Sequence, residues 1–355
     1  MGAGFRDRAV HVTRLLARRA ASLAIIAIVA SGLSGVSAHT RERPVPETLW
    51  QSWNLDVPVL AALVLATWIY LRGTGRLWER GGQGVGIARW QVVAFLGGVA
   101  VILMALISPL DALGAALFSA HMAQHMLLVL LAPLLLAASQ PLLAALWALP
   151  PAQRRDLSRW WLGTGLLRRG WHALNHPLVV FSLFAFGLWM WHLPRLYDRA
   201  LQSDLLHRLE HATFFGCAFL MWWCVLETGK RRGMSHPVAI LLLFVSMIQS
   251  GALGVILTFG PRPLYEAHAP WVGAWGLTRL EDQQLAGVIM WIPMGTWLAL
   301  TAFVLFGLWI RSASKSVERA EAPVLLRPRH LADASDRPDN EGGRFDGEAI
   351  VLQTR

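Results

Sequence analysis

The sequence predicts an all-α fold, a polytopic membrane helix bundle of about seven transmembrane helices after an N-terminal signal-like segment. Three observations lead there. The 355 residues are 55% hydrophobic and only 15% charged, whereas a soluble domain carries about a quarter charged residues. The mean hydropathy is +0.45. The apolar residues gather into runs of roughly the 20 residues that a helix needs to cross a bilayer. A net charge of +10 would point to nucleic acid in a soluble protein. Here the basic residues stand between apolar runs, as in cytoplasmic loops, so the expected surroundings are the lipid bilayer, with no nucleic-acid partner.

Residues 1–38 have the plan of a signal peptide. Arg6, Arg8, Arg14, Arg18 and Arg19 form a basic start, Ala20 to Ala30 are apolar, and Val36-Ser37-Ala38 resembles a small-residue cleavage site. Cleavage there would free His39 outside the membrane; the alternative is an uncleaved extra span. Residues 39–311 form the expected seven-helix domain. After a polar stretch to Asp56, candidate helices lie at 57–71, 90–107, 113–138, 177–193, 205–226, 237–258 and 284–310. Residues 312–355, rich in Arg, Asp, Glu and Pro, read as a disordered polar tail.

The loops orient the bundle. Arg72, Arg76, Arg80 and Arg89 surround the first connection, Arg154, Arg155, Arg159, Arg168 and Arg169 the third, Lys230, Arg231 and Arg232 the fifth, and Arg311 and Lys315 follow the last span. These alternate connections share one side, the cytoplasm by the positive-inside rule. The N-terminus is then outside and the C-terminal tail cytoplasmic. Many of the 18 tryptophans, Trp50, Trp53, Trp189, Trp191, Trp271 and Trp275 among them, fall near the outer interface, where tryptophan anchors spans.

This topology gathers histidines at one level. His121 and His125 are one turn apart on one face of the third span, His207 and His211 repeat that spacing at the start of the fifth, and His192 ends the fourth. His268 is in the outer loop before the seventh span. Polar rings at membrane depth are costly without partners, so each is a candidate site residue. Imidazole suits copper, zinc and iron, and thioether sulfur favours Cu(I). Met290 and Met294 on the last span are possible soft ligands, and Met122 or Met126 could line the way in. Glu210, Asp282 and Gln124 are candidate acceptors that would fix the histidine tautomers. The sharp reading is a copper site, selective for Cu(I), facing the outside. The bland reading is a hydrogen-bonded network that ties helices together, with the methionines as core filler.

Other chemistries have thin support. Gly81-Gly82-Gln83-Gly84-Val85-Gly86 lies in a basic connection without a preceding strand, so it is no phosphate loop. Cys217 and Cys224 share a helix face, form no thiol motif and read as small hydrophobes. Neither histidine pair has the internal Glu position of a metalloprotease. His176-Pro177 and His236-Pro237 read as cytoplasmic helix starts. No convincing internal repeat marks a transporter.

Five motifs recur together in one order: Ser119-Ala120-His121-Met122-Ala123-Gln124-His125, Trp191-His192-Leu193-Pro194 with Tyr197-Asp198, Leu209-Glu210-His211, Trp222-Trp223, and Asp282-Gln283-Gln284-Leu285-Ala286-Gly287. In these the chain resembles the multi-span CtaG family of bacterial cytochrome c oxidase assembly factors, over roughly Trp50 to Arg311. The resemblance implies a non-enzymatic, seven-helix protein of the bacterial inner membrane. It would help form a haem–copper oxidase, with oxidase subunits as partners and copper delivery as the suggested role. Two alternatives stand beside it: facing histidines that hold haem b for electron transfer, and a metal-free scaffold for oxidase subunits.

Overall fold

Proline in the first turn starts two of the first three helices of the computed structural model, which describes residues 44–230 and 233–325. The signal-like segment, 1–38, and residues 326–355 of the tail lie outside the described residues. Helix α1, Val57–Gly81, begins at Asp56, whose carboxylate accepts from the Val59 N–H at 3.2 Å, with proline in the first turn. It runs past the expected end at 71, so Arg72, Arg76 and Arg80 ride on its last turns rather than on a loop. Gly82, at φ 88°, ends it in a conformation that glycine adopts without strain. Helix α2 is Arg89–Leu106 and the short α3 is Pro109–Ala116.

The expected helix 113–138 is not continuous. Leu117 is extended, at φ −123° and ψ 133°, and a new helix, α4, starts at Phe118 and runs to Met126. A π-helical turn, Leu127–Leu131, then leads into α5, Ala132–Ala138. Helix α3 lies close on α4: a Cβ added at Gly114 would come within 3.3 Å of the His121 Cα. Pro133 has no N–H to give to the Val129 carbonyl, one turn back. The buried indole of Trp222 donates to that carbonyl instead, at 3.0 Å.

The third connection is also helical. Gln140, at φ 56° and ψ 53°, turns the chain into α6, Pro141–Ala148, followed by α7, Pro151–Gly163, and α8, Gly165–Leu174. The arginines expected in a loop therefore lie on short helices. Arg76 donates to the Ala148 carbonyl. Arg80 and Arg154 lie 5.6 and 4.0 Å from the Trp147 ring. The first and third basic connections thus meet at one end of the bundle, as their alternation requires.

The fourth span is bent. Helices α9, Pro177–Trp191, and α10, Pro194–Gln202, meet at 76° across His192 and Leu193. Helix α11 is Asp204–Leu226, α12 is His236–Phe259, and α13 is Arg279–Leu325. Helix α13 passes both expected bounds and carries the helix beyond Ser312, where the sequence reads as tail. Among the described residues, six helices are long and apolar enough to cross a membrane, or seven when the bent α9–α10 pair counts as one. The polytopic all-α bundle is therefore what the chain forms, with no strand among the described residues.

The chain divides into two compact units, Met1–Phe306 and Gly307–Arg355; every residue discussed below is in the first. Its main core joins Phe118, Met122, Phe184, Phe214, Trp222, Met290 and Met294. Lipid tails are as apolar as these side chains, so close packing, rather than escape from water, holds spans together. Gly287 shows the fit: a Cβ there would lie 2.7 Å from the Thr258 backbone nitrogen on α12. A smaller core forms around Tyr70, which stacks on Phe95 at 3.8 Å and donates to the Ser139 carbonyl at 3.0 Å.

Candidate metal centre

Two helix starts place the site. On α4, His121 and His125 are one turn apart, with ring centroids 4.2 Å apart. On α11, His207 and His211 have the same spacing and centroids 4.3 Å apart. The pairs face each other. His121 lies 5.4 Å from His207 and 5.9 Å from His211, and His125 lies 5.2 Å from His211. The pairs share a site, not just a membrane level. Glu210 points between them: its Oε1 is 3.9 Å from the His121 Nε2 and 3.8 Å from the His125 Nε2.

Burial makes this cluster costly. His121, His125 and Glu210 are 1–2% exposed. Both ring nitrogens of His121 and of His125, the His211 Nε2 and both Glu210 oxygens are buried without a hydrogen-bond partner. Each such atom costs about 1–3 kcal/mol when left unmet. These atoms do not meet that cost by bonding one another directly. Two sets of donors come within 4.8 Å of one another: His121, His125 and His211, and His121, His207 and Glu210. Imidazole nitrogen and carboxylate oxygen are ordinary metal donors, and a bound cation would meet one atom of each residue in a set.

Two expected tautomer-setting residues do other work. Asp282, on α13, accepts from the backbone N–H groups of Phe118 at 2.7 Å and Ser119 at 3.0 Å. It caps the helix of His121 rather than bonding a ring. The first N–H groups of a helix have no partner within it, and a carboxylate there also suits the helix dipole. Gln124 donates from Nε2 to the Ala105 carbonyl and to the Asp111 Oδ1, both at 2.8 Å. The other Asp111 oxygen accepts from Asn54 at 2.8 Å. Gln124 therefore ties α4 to α2, α3 and the polar N-terminal stretch, away from the rings. Glu210 alone of the three joins the histidines.

His192 is buried at the bend between α9 and α10 and belongs to neither donor set. Its Nδ1–H donates to the Leu188 carbonyl at 2.7 Å, which leaves the Nε2 lone pair buried without a partner. The Phe214 ring lies 6.0 Å from His192 and 4.7 Å from His125. Met290 and Met294 are fully buried in the main apolar core. Cys224 bonds Asn175 at 3.2 Å. It lies 13 residues past His211, about 20 Å along the helix.

The structure adds residues that sequence reasoning left out. His268, placed only in a loop by sequence, is buried and pairs through Nε2 with the Tyr197 hydroxyl at 2.7 Å. Its ring is 6.4 Å from His121, and the Tyr197 ring is 5.5 Å from His121. Tyr265 donates to the His192 carbonyl at 2.9 Å. Burial, with the Asp198 and Glu210 charges, holds its phenol well above the ordinary value, so it stays a donor. Asp198 accepts from the Glu266 and Ala267 backbone N–H groups at 3.2 and 3.1 Å. The loop before α13 is thereby tied over the cluster. The Tyr197-Asp198 pair and the loop's Tyr265 and His268 carried the signal, but which rings they meet depends on the bend at His192.

Comparison with known proteins gives one family. The family described as cytochrome c oxidase caa3 assembly factor (Caa3_CtaG) matches residues 68–312, which include every residue of the cluster. Uncharacterized proteins of Mycobacterium bovis and Mycobacterium tuberculosis are each 28% identical over 295 residues, 79% of this chain and 43% of theirs. One from Mycobacterium leprae is 25% identical over 287 residues, 77% of this chain and 41% of its own. The chain thus spans less than half the length of these relatives. No solved structure matches.

Proposed function

The chain belongs to the cytochrome c oxidase caa3 assembly factor family, and on that premise we propose that it binds copper in the four-histidine cluster and hands it to an oxidase subunit. One observation carries this reading: the orphaned, buried donor atoms of His121, His125, His211 and Glu210 converge between α4 and α11. The first helix is poised by the Asp282 cap, and the loop tied by Asp198 and Tyr197 shields the cluster. Water is scarce there, so an ion that enters sheds its hydration and takes protein donors instead. Copper, when bound, would be held by imidazole nitrogens, with Glu210 as the one anionic donor. A carboxylate is a harder donor than a thioether, so the site accommodates Cu(II) as well as the Cu(I) favoured on sequence grounds. Met290 and Met294 are not needed to complete it.

The loop-side end of the bundle, opposite the arginines of the first and third connections, faces outward in this reading. There it would meet the copper-accepting domain of an oxidase subunit in a bacterial inner membrane. The role is delivery, with no chemical transformation assigned to the chain. In the haem-b alternative two facing rings would have to part around a porphyrin, and the His121 and His207 ring centroids lie 5.4 Å apart.

The test is metal content. Purified protein loaded with copper under reducing conditions and desalted is expected to retain about one ion per chain, as a single centre of three or four protein donors would. A variant with His121, His125, His207 and His211 all changed to alanine is expected to retain none. Equal retention by the two would sink the proposal.

A further inference from the structure

We propose that the cluster is two overlapping metal stations that share His121, an outer one of His121, His207 and Glu210 and an inner one of His121, His125 and His211. The inference rests on the copper reading above and describes how copper would move through the site. An ion whose bonds are about 2.0–2.2 Å long needs all its ligand atoms within roughly twice that distance. The donors come close to this as two triads within 4.8 Å, with His121 in both, and a small inward shift of the side chains closes either one around an ion. His121 has both ring nitrogens unbonded, so it can turn toward either triad without breaking a hydrogen bond.

The two stations differ in depth. His207 is half-buried in the first turn of α11, and His211 is one turn further along. His125 is likewise one turn beyond His121 on α4. The outer station is therefore nearer the helix starts and the covering loop, the inner one nearer the middle of the bundle. They also differ in charge. The outer station has Glu210, the one donor that becomes an anion by giving up its proton as a cation binds. The inner station has only neutral donors. Glu210 Oε1 is nearly equidistant from the Nε2 atoms of His121 and His125, at 3.9 and 3.8 Å. The carboxylate can thus accompany an ion from the shared ring to the first ring of the deeper set. Ligand exchange proceeds one bond at a time: His125 arrives as His207 leaves, and His211 arrives as Glu210 leaves and takes up a proton, while the copper keeps its oxidation state.

Because the stations share a ligand, they are filled in turn, not together. A chain at equilibrium then holds one copper, while loading and retention depend on different residues. The experiment uses the full-length protein in detergent, with Cu(I) alone added anaerobically and its uptake and release followed by a coloured chelator. The pair His207→Ala and Glu210→Gln is expected to slow uptake on the order of tenfold, and the pair His125→Ala and His211→Ala to speed release by a similar factor. His121→Ala loses both properties. Matching size-exclusion profiles and helix content show that the variants fold. If both pairs change uptake and release alike, the copper site stands as a single station and the two-station proposal is wrong. Two coppers per wild-type chain would refute the shared ligand. No copper on folded wild-type protein would remove the copper reading and this one with it.

Discussion

The Asp282 carboxylate, on the last span, accepts the Phe118 backbone N–H at 2.7 Å across 164 residues of sequence. With the Ser119 N–H at 3.0 Å, this contact starts the helix on which His121 and His125 stand. A residue from α13 therefore decides where α4 begins and so where its rings point. Asp282→Ala is expected to cost about 0.5–2 kcal/mol, the usual worth of a helix cap. The lowered thermal midpoint should be accompanied by weaker copper retention. Asp282→Asn, which keeps one acceptor, should fall between.

Gln124 separates support of the helix from contact with the rings. Gln124→Ala leaves the Ala105 carbonyl without its side-chain donor and takes one donor from Asp111, which keeps that from Asn54. The expected loss is about 1–3 kcal/mol, read from denaturation in detergent. Copper bound per folded chain should stay at the wild-type level, because Gln124 bonds no histidine. A parallel loss of copper would show that its ties to α2 and α3 shape the cluster directly.

The Trp222 indole covers a carbonyl that proline leaves open. Trp222→Phe keeps the aromatic bulk but strands the Val129 oxygen in the apolar core. A cost of about 1–3 kcal/mol is expected. Double-mutant cycles with Pro133→Ala give the check: with an N–H restored at 133, the penalty for Trp222→Phe should shrink.

Tyr197→Phe removes the hydroxyl that holds His268. A cost of about 1–3 kcal/mol is expected, because a buried ring nitrogen loses that hydroxyl. Hydrogen exchange in the loop 260–278 should rise, because local opening is where such a tie is felt. Unchanged exchange there would mean that Asp198 and Tyr265 hold the loop without His268.

Much of the bundle was legible in the chain. The number of spans, the alternation of basic connections and the one-turn spacing of each histidine pair all follow from short-range pattern. What failed were the breaks. The helix at 113–138 starts afresh at Phe118, because its first N–H groups find a partner on α13, far away in sequence. The fourth span bends at His192, and the third connection folds into three helices. Periodicity and hydropathy report the composition of a segment, not the side chain that will satisfy its ends.

The site divides the same way. Sequence by itself determined which residue types stood near one end of the bundle: four histidines in two pairs, His192, Glu210 and a set of aromatic residues. Only the tertiary structure decided that the pairs face each other around Glu210, that Asp282 and Gln124 hold backbone and helix contacts instead of rings, and that His268 closes over them with Tyr197. The reason is physical. Spacing along a helix fixes which side chains share a face, but the facing of two helices depends on packing and on distant polar partners, here Asp282 for α4 and the glycine-tight fit of α12 on α13.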